Sequence, residues 1–455
     1  MSMGNLSRRG FVQRSVAGLV GAGLPLWYAR EVVEGRLIAA EEDKKPVAAS
    51  EKLHIGLIGC GGQGRGDMRQ ALRNKGVKVV AVCDVDKNRV EETVAKDLKG
   101  SKDVKQYEDY RQLLDDKDIN AVVIGTPDHW HTLPAIAAMR KGKDVYCEKP
   151  LTLTIDEGKA LVKVAKATKS VFQVGSQQRS EGPFRLACEL VRNGRIGKIQ
   201  TIETWIGSNP VGGPYMPAKP PAGLNYDFWL GPTPKVAYNA HRCHYDFRWW
   251  YDYSGGKMTD WGAHHNDVAQ WALGMDESGP ISVESTAAAP SKDPNSYNCH
   301  PTFAVTYGYK SGAKVICKSN ENGVLLEGED GKWIFVHRGG IVASDEGIEK
   351  PTSSKGMRTS GKSKILTEPL GKDAIRLYES TNHMRNWLGC IKTRKPTTCT
   401  AEIGHRSVTV CHLGTINMRL GGKKMGWDPV AEKFDDEAAN KMMSRPGRGE
   451  WKLEA

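Results

Sequence analysis

The segment from Leu53 to Gly64 joins an apolar, strand-like run to a glycine-rich loop. Leu53 to Ile58 leads directly into Gly59-Cys60-Gly61-Gly62-Gln63-Gly64, and a polar helical pattern follows. In this G-x-G-x-x-G spacing the first glycine permits a tight turn, the second lets the backbone approach a pyrophosphate, and the third allows close strand–helix packing. The pyrophosphate would lie at the helix N-terminus, where free N–H groups and the helix dipole favour an anion. The pattern therefore predicts a dinucleotide site that includes Gly59, Gly61, Gly62, Gln63 and Gly64.

An acidic residue follows the next strand at the position where a ribose is usually recognised. The strand Val77 to Cys83 ends at Asp84, twenty residues after Gly64. A carboxylate there can accept hydrogen bonds from a ribose diol and would repel a 2′-phosphate. This favours NAD over NADP, although the nearby Lys87 and Arg89 leave NADP open. The alternative is an ordinary solvated acid at a strand end.

Strands and helices alternate up to about residue 176. This alternation of near-continuous apolar strands with helices predicts a parallel sheet covered on both faces. Ligands of such sheets bind outside the carboxyl ends of the strands, where the loops Thr126–His131 and Glu148–Pro150 fall. The predicted strands are Ala121–Ile124, Asp144–Cys147 and Val171–Val174, and the predicted helices are Leu133–Met139 and Asp156–Thr168. The further cofactor-binding candidates from these loops are Thr126, Pro127, His129, His131, Glu148 and Lys149.

After the nucleotide domain the hydrophobic pattern changes. Continuous apolar runs give way to strands in which apolar and polar residues strictly alternate. Period-2 strands without intervening helices predict a largely antiparallel, open sheet with one covered face. These strands are Ile199–Ile206, Ile281–Ala287, Thr302–Tyr309, Ala313–Lys318 and Lys332–Val336. The predicted fold class is thus α/β, a Rossmann domain followed by a second α/β domain. The predicted ranges are 1–50 for a signal and linker, 51–176 for the nucleotide domain, 177–375 for the substrate and oligomerisation domain, and 376–455 for helices and a tail that return to both domains.

Two segments of the second half have unusual compositions. Residues 209–253, here called the aromatic insert, hold 11 of the 34 aromatic residues and 7 of the 22 prolines. Such a segment either packs its own rings as a long loop or presents an aromatic wall to the apolar face of a sugar. Residues 350–372 are rich in Lys, Arg, Ser, Thr and Gly, and this composition predicts a solvated basic loop.

Candidate polar groups for chemistry lie in the second half. Asp260 and His264 are four residues apart, so a helix would place them on one face, where a carboxylate can orient an imidazole that acts as general base. The alternative is a helix cap and a surface histidine. Gln177 and Arg179 offer polar substrate contacts or, alternatively, a hinge surface. The pairs His129-x-His131 and His241-x-Cys243-His244 have metal-like spacing, but no full ligand set is spelled out, so no metal is predicted.

The first fifty residues have the composition of an export signal. Arg8-Arg9-Gly10-Phe11 precedes fourteen uncharged residues, Val16 to Ala29, which resembles a twin-arginine signal. A membrane helix needs about 20 apolar residues, so stable membrane insertion is not expected. The expected location is the periplasm, with Ala39-Ala40 and Ala48-Ala49 as candidate cleavage sites. The alternative is a cytoplasmic protein with an amphipathic N-terminal helix.

The net charge of +12 over 455 residues raises the question of nucleic acid. A nucleic-acid binder usually concentrates its basic residues on one face, whereas these are scattered outside residues 350–372. We therefore expect no nucleic-acid partner.

Taken in order, the glycine loop, Asp84, Thr126-Pro127, Glu148-Lys149-Pro150 and Asp260-x-Gly262-x-His264-x-x-Asp267 resemble the Gfo/Idh/MocA oxidoreductase family. The resemblance spans about Leu53 to Asp428, and Glu402 to Ser407 also fits it. It implies NAD(P)-dependent chemistry on sugars or cyclitols and a homo-oligomer, a dimer or tetramer, formed through the C-terminal sheet. By position it makes Lys149 the substrate-binding and catalytic lysine, and Asp260 and His264 the acid–base pair on the substrate side. The aromatic insert and the basic loop depart from the family pattern.

Three functions follow from this reading. The first is an NAD-dependent oxidoreductase that takes hydride from a hydroxyl-bearing carbon of a sugar, glycoside or cyclitol. The second is an exported enzyme with tightly bound, self-recycled NAD(P), which hydrolyses a glycoside or transfers hydride between sugars, because a periplasm offers no NAD pool for reoxidation. The third is a non-catalytic NAD-dependent binding protein, which the combination of Lys149, Asp260 and His264 disfavours.

Overall fold

The structure is a computed structural model that describes residues 8–21, 24–42, 52–357 and 361–453. Its helices are α1 (Arg8–Gly21), α2 (Leu26–Glu42), α3 (Gly62–Leu72), α4 (Lys87–Asp97), α5 (Tyr110–Asp115), α6 (Thr132–Arg140), α7 (Ile155–Thr168), α8 (Gly182–Arg192), α9 (Tyr226–Leu230), α10 (Lys257–Asp260), α11 (Gly262–Leu273), α12 (Lys364–Thr367), α13 (His383–Thr393), α14 (Ala401–Arg419) and α15 (Glu437–Lys441). Its strands are β1 (Leu53–Ile58), β2 (Val77–Cys83), β3 (Lys105–Tyr107), β4 (Ala121–Ile124), β5 (Asp144–Cys147), β6 (Phe172–Val174), β7 (Thr201–Trp205), β8 (Ser282–Ala287), β9 (Phe303–Gly308), β10 (Lys314–Lys318), β11 (Gly323–Glu327), β12 (Trp333–His337), β13 (Gly340–Ala343), β14 (Met425–Asp428) and β15 (Lys433–Phe434).

The first sheet is parallel throughout and has the order β3-β2-β1-β4-β5-β6. Every residue of β4 and β5 is buried, because helices cover both faces of the sheet. The connecting helix α7 begins at a capping box in which Thr154 and Glu157 each satisfy the other's backbone N–H. The predicted Rossmann domain is confirmed.

The second sheet is mixed, with the order β13-β12-β11-β7-β10-β9-β8-β14-β15. The pair β7–β10 is parallel and the other pairs are antiparallel. Burial alternates along β9 because α8, α11 and α14 cover one face. The predicted α/β fold class, with a largely antiparallel second sheet, is confirmed.

Two C-terminal helices connect the two sheets. Helix α13 packs against α3 of the Rossmann domain, and α14 packs against both α7 and β8. Arg179 lies between the domains and binds Asp267 on α11. These contacts bring α11 to the carboxyl-end edge of the parallel sheet, where ligands of such sheets bind.

The N-terminal segment does not stand apart from the fold. On α2, Tyr28, Ala29 and Val32 are buried in the same cluster as Phe184 of α8. The Tyr28 hydroxyl accepts a hydrogen bond from Arg185 at 2.7 Å. Composition does not reveal this packed helix, because its apolar face is brought to α8 only by tertiary structure.

Part of the predicted signal lies outside the residues that the structure describes. Residues 1–7, 22–23 and 43–51 lie outside the described residues, and with them the candidate cleavage site Ala48-Ala49. Among the described helices, none combines the length and apolar character that crossing a membrane requires.

The basic segment 350–372 is more ordered than its composition predicts. It contains α12, in which Ile365 and Leu366 are buried. The Asp345 carboxylate accepts hydrogen bonds from the backbone N–H groups of Lys364 and Ile365, so it fixes the start of this helix. Residues 358–360 lie outside the described part of this segment.

Candidate active site

A cavity of about 460 Å³ lies at the carboxyl ends of β1, β2, β4 and β5. One wall comes from the glycine loop and the strand ends, and the opposite wall comes from the aromatic insert. The residues predicted to bind cofactor that line this cavity are Gly59, Gly61, Gly62, Gln63, Asp84, Thr126, Pro127, His131, Glu148 and Lys149.

The glycine loop has the shape that a dinucleotide requires. Gly59 has φ +93°, and a Cβ there would lie 2.6 Å from the backbone of Gly125 and Thr126. A Cβ on Gly64 would lie 2.1 Å from the Gly59 carbonyl oxygen, whereas one on Gly62 would meet nothing within 4 Å. Helix α3 begins at Gly62, so its first N–H groups face the cavity without partners in the helix. The residues present therefore fit a pyrophosphate.

Asp84 closes the ribose end of this loop. Its Oδ2 accepts a hydrogen bond from Cys60 N at 2.7 Å, and its Oδ1 accepts one from Asp86 N at 2.9 Å. Burial raises the pKa of Asp84 to about 6, against the effect of these two bonds and of the Arg89 cation. The carboxylate is thus held rigidly where it favours a diol and disfavours a phosphate.

Replacing Asp84 with asparagine should shift nucleotide preference toward NADP. The variant keeps the side-chain shape but removes the negative charge that repels a 2′-phosphate, so the ratio of the NADP⁺ to the NAD⁺ dissociation constant should fall by about tenfold. Nucleotide titrations of the wild type and the variant measure this ratio. Asp103→Asn, at an exposed position away from the cavity, is the control and should leave the ratio unchanged. An unchanged ratio in Asp84→Asn would contradict the assignment of Asp84.

Lys149, at the inner end of the cavity, forms an ion pair with Asp260. Its Nζ donates to Asp260 Oδ1 at 2.6 Å and also lies 3.3 Å from the Asp260 carbonyl oxygen. Arg248 Nε and Lys257 Nζ approach the same carboxylate at 3.7 and 3.8 Å. Burial alone would raise the pKa of Asp260, but Lys149, Arg248 and Lys257 lower it to about 2. Asp260 is therefore an anion that holds a lysine cation beside the cavity.

His264 lies in the first turn of α11, just after the break at Trp261 that separates this helix from α10. The side chain is buried, and its Nδ1 has no hydrogen-bond partner among the described residues. Burial lowers the pKa of His264 well below its usual value, and the charges of Lys149 and Arg338 lower it further. The expected Asp260–His264 pair is not formed, because the carboxylate binds the fully charged Lys149. His264 is an uncharged imidazole that can accept a proton.

Six of the predicted site residues do not line the cavity: Gly64, His129, Gln177, Arg179, Asp260 and His264. His129 Nε2 lies 2.8 Å from the Trp229 carbonyl oxygen, and the ring packs behind Trp229. Gln177 donates to Glu148 Oε1 at 2.7 Å, so it supports a cavity residue from behind. Arg179 donates to Asp267 at 2.7 and 2.8 Å and to Asp276 at 2.7 Å. Because its guanidinium binds these two carboxylates, Arg179 has a structural role between the domains.

The structure adds residues that the sequence reading left out. Asp128 accepts a hydrogen bond from Ser254 at 2.5 Å, and burial raises its pKa to about 7. Arg248 lines the cavity from the insert, together with Phe228, Trp229, His244, Tyr245 and Phe247. Asp128 lies within the Thr126–His131 loop, whose position at a strand end is a signal that includes it. No comparable local pattern in the sequence indicates Arg248. Within the described ranges, no cluster of three or more His, Cys, Asp or Glu side chains is arranged to hold a metal ion.

The chain matches two models of one protein family over most of its length. Residues 53–176 match the oxidoreductase family's NAD-binding Rossmann fold. Residues 199–355 and 362–453 match the C-terminal alpha/beta domain of the same family. The first domain is thus an NAD-binding Rossmann domain.

Individual relatives are more distant. A glycosyl hydrolase family 109 protein of Shewanella pealeana is 29% identical over 202 residues, which are 43% of this chain and 44% of that protein. An inositol 2-dehydrogenase of Salmonella paratyphi B is 32% identical over 148 residues, which are 32% of this chain and 43% of that protein. The matches thus span less than half the length of these two relatives. The crystal structure of the aldose-aldose oxidoreductase from Caulobacter crescentus has a TM-score of 0.59 at 18% identity, over 82% of this chain and 99% of that one, and shares the fold.

Proposed function

Because the chain belongs to the Gfo/Idh/MocA oxidoreductase family, we propose that it transfers hydride between NAD and a hydroxyl-bearing carbon of a sugar, glycoside or cyclitol. The observation that carries this proposal is the Lys149–Asp260 ion pair at 2.6 Å, in which a buried carboxylate holds a half-buried lysine at the wall of the cofactor cavity. The uncharged His264 in the adjoining helix supplies a proton acceptor. The inositol dehydrogenase and glycosyl hydrolase names of the relatives favour this substrate class.

Lys149 is assigned to the reacting oxygen. Oxidation of a carbinol to a carbonyl releases one proton and one hydride, and bound NAD supplies the hydride acceptor. As the proton leaves, negative charge develops on the oxygen, and the Lys149 ammonium stabilises it as a fixed donor. Asp260 holds this lysine in place through the 2.6 Å contact.

His264 is assigned as the general base. An imidazole that is uncharged at neutral pH can take the hydroxyl proton without first losing one of its own. Burial and the charges of Lys149 and Arg338 disfavour the protonated form of His264, so the proton passes on readily. In this proposal Lys149 stabilises the developing charge, His264 transfers the proton, and Asp260 positions Lys149.

The role of His264 predicts the pH dependence of the reaction. A base works in its unprotonated form, so kcat/KM should be constant above the pKa of His264 and fall about tenfold per unit below it. Because burial and the charges of Lys149 and Arg338 lower this pKa from 6.5, the acid limb should lie below pH 6.5. Arg338→Gln removes one of these charges and should move the limb to higher pH. Rates measured between about pH 5 and 8 test this, and a limb above pH 6.5 in the wild type would rule out His264 as the base.

A second candidate is an exported enzyme that keeps NAD bound and regenerates it within each cycle, to hydrolyse a glycoside or to exchange hydride between sugars. The coverage of the cavity by the insert residues Phe228, Trp229 and His244 favours this candidate. So does the similarity to relatives such as the alpha-N-acetylgalactosaminidase of Tannerella forsythia, 30% identical over 202 residues. Export in the folded state through a twin-arginine route is part of this proposal.

One experiment tests both candidates. Protein purified without added nucleotide is weighed by native mass spectrometry and then mixed with a panel of sugars, cyclitols and aryl glycosides, with and without NAD⁺. Net NADH formation at 340 nm supports the plain dehydrogenase. Retained nucleotide with glycoside cleavage or sugar exchange, and no net NADH, supports the second candidate. Nucleotide binding without any turnover would leave the non-catalytic reading.

A further inference from the structure

The aromatic insert forms the outer wall of the cofactor cavity. A dinucleotide at the edge of an open parallel sheet ordinarily has one side toward solvent. Here that side is covered by side chains of the insert. They are Phe228, Trp229, His244, Tyr245, Phe247 and Arg248.

A first clamp joins the insert to the loop after β2. Gly223 O accepts from Lys87 N, and Asn225 N donates to Val85 O, both at 2.9 Å. The Asn225 amide also donates to Glu108 Oε1 at 2.6 Å. This short antiparallel bridge crosses the ribose end of the cavity, directly beside Asp84.

A second clamp is formed by a single side-chain pair. Arg89 Nε donates to His244 Nδ1 at 3.1 Å, and its guanidinium lies over Gly61 of the glycine loop. His244 has φ +54°, a left-handed conformation that few non-glycine residues adopt. Such backbone persists where the surroundings over-determine it, and it is concentrated at ligand clamps and active sites.

The insert that forms this wall has a buried core of its own. Trp250 and Tyr253 are fully buried in the insert's own core, and the Arg242 guanidinium stacks on Trp250 at 3.8 Å. Both readings of the insert therefore contribute, because it packs its own rings and also presents a wall to the cavity. The two clamps fasten this insert to the Rossmann domain at the ribose end of the cavity and over the glycine loop.

We propose that the aromatic insert is a strap that retains the cofactor, closed by the Asn225–Glu108 and Arg89–His244 contacts. This rests on the second candidate function, in which NAD stays bound through each cycle, and goes further by assigning these residues to cofactor retention. The expected consequence is an enzyme that exchanges substrate and product while its nucleotide stays bound.

Nucleotide exit from the full-length protein tests the strap. The protein is loaded with NADH and chased with excess NAD⁺ while NADH fluorescence is followed. His244→Asn removes the ring but tolerates the left-handed backbone, and Asn225→Asp keeps the cap on Phe228 N while placing a carboxylate against Glu108. Each variant should release NADH about tenfold faster than the wild type. His241→Asn is the control, because His241 is in the same insert, away from the cavity, and should leave the rate unchanged.

The outcomes separate the strap from the function on which it rests. Exit rates of His244→Asn and Asn225→Asp equal to those of the wild type and His241→Asn would overturn the strap while leaving NAD binding intact. A wild type that takes up no NADH in an equilibrium titration would overturn the proposed function itself, and the strap with it. Near-native circular dichroism of both variants shows that faster exit is not unfolding.

Discussion

Replacing Lys149 with methionine is expected to lower kcat/KM by about a thousandfold. Methionine keeps the length and most of the volume of the side chain but removes the only ammonium that both lines the cavity and touches Asp260 among the described residues. Charge that develops on the substrate oxygen then has no fixed ammonium beside it. Arg248 and Lys257 keep Asp260 ionised, so the variant should fold and bind nucleotide.

The measurement is turnover of whichever compound the substrate panel identifies, together with NADH titration of each variant. Lys141→Met is the matched control, because Lys141 is exposed and pairs with Asp115 on the surface of the same domain. We expect unchanged turnover in Lys141→Met and unchanged NADH affinity in both variants. Wild-type turnover in Lys149→Met would remove this lysine from the chemistry.

Replacing Arg179 with methionine is expected to destabilise the fold by about 3–5 kcal/mol. Arg179 is fully buried, binds Asp267 through two nitrogens and lies 5.0 Å from the ring of Trp271. Its loss leaves Asp267 as a buried carboxylate without its counter-charge, on the helix that carries His264. Urea unfolding at neutral pH measures the loss of stability, and KM at low temperature should change little because the guanidinium does not reach the cavity.

Arg195→Met provides the comparison for Arg179→Met. Arg195 pairs at 3.0 Å with Glu368, whose carboxylate is exposed to solvent, and surface pairs contribute about 0–1 kcal/mol. The unfolding midpoint of Arg195→Met should therefore stay near that of the wild type. If Arg179→Met were as stable as Arg195→Met but had a raised KM, Arg179 would return to the substrate site.

Strand bounds in the first domain show where sequence reasoning is strong. The observed β1, β2, β4 and β5 have the predicted bounds, because strands buried on both faces appear as uninterrupted apolar runs between polar turns. Strands β11 and β13 were not predicted. Both are short and fully or nearly fully buried, so they lack the alternation that identified their neighbours.

The N-terminal helix and the basic segment show the opposite case. Composition predicts a signal for residues 1–50 and a solvated loop for residues 350–372, and it does not predict that Tyr28 and Leu366 are buried. Composition describes only the residues of the segment itself. The surface that buries Tyr28 or Leu366 is formed by residues elsewhere in the chain.

The sequence by itself determined the Rossmann domain, the glycine loop, Asp84 and the candidate groups Asp260 and His264, because each depends on residues close together along the chain. Lys149 became a candidate through the family resemblance. Only the tertiary structure decided their partners. Lys149 and Asp260 are 111 residues apart, and Arg179 and Asp267 are 88 apart, so the packing of the two domains selects which charges meet. The same packing pairs Asp260 with Lys149 instead of His264, because the nearest full positive charge stabilises an ionised, buried carboxylate most. It also laid the aromatic insert over the cavity, which no local spacing encodes.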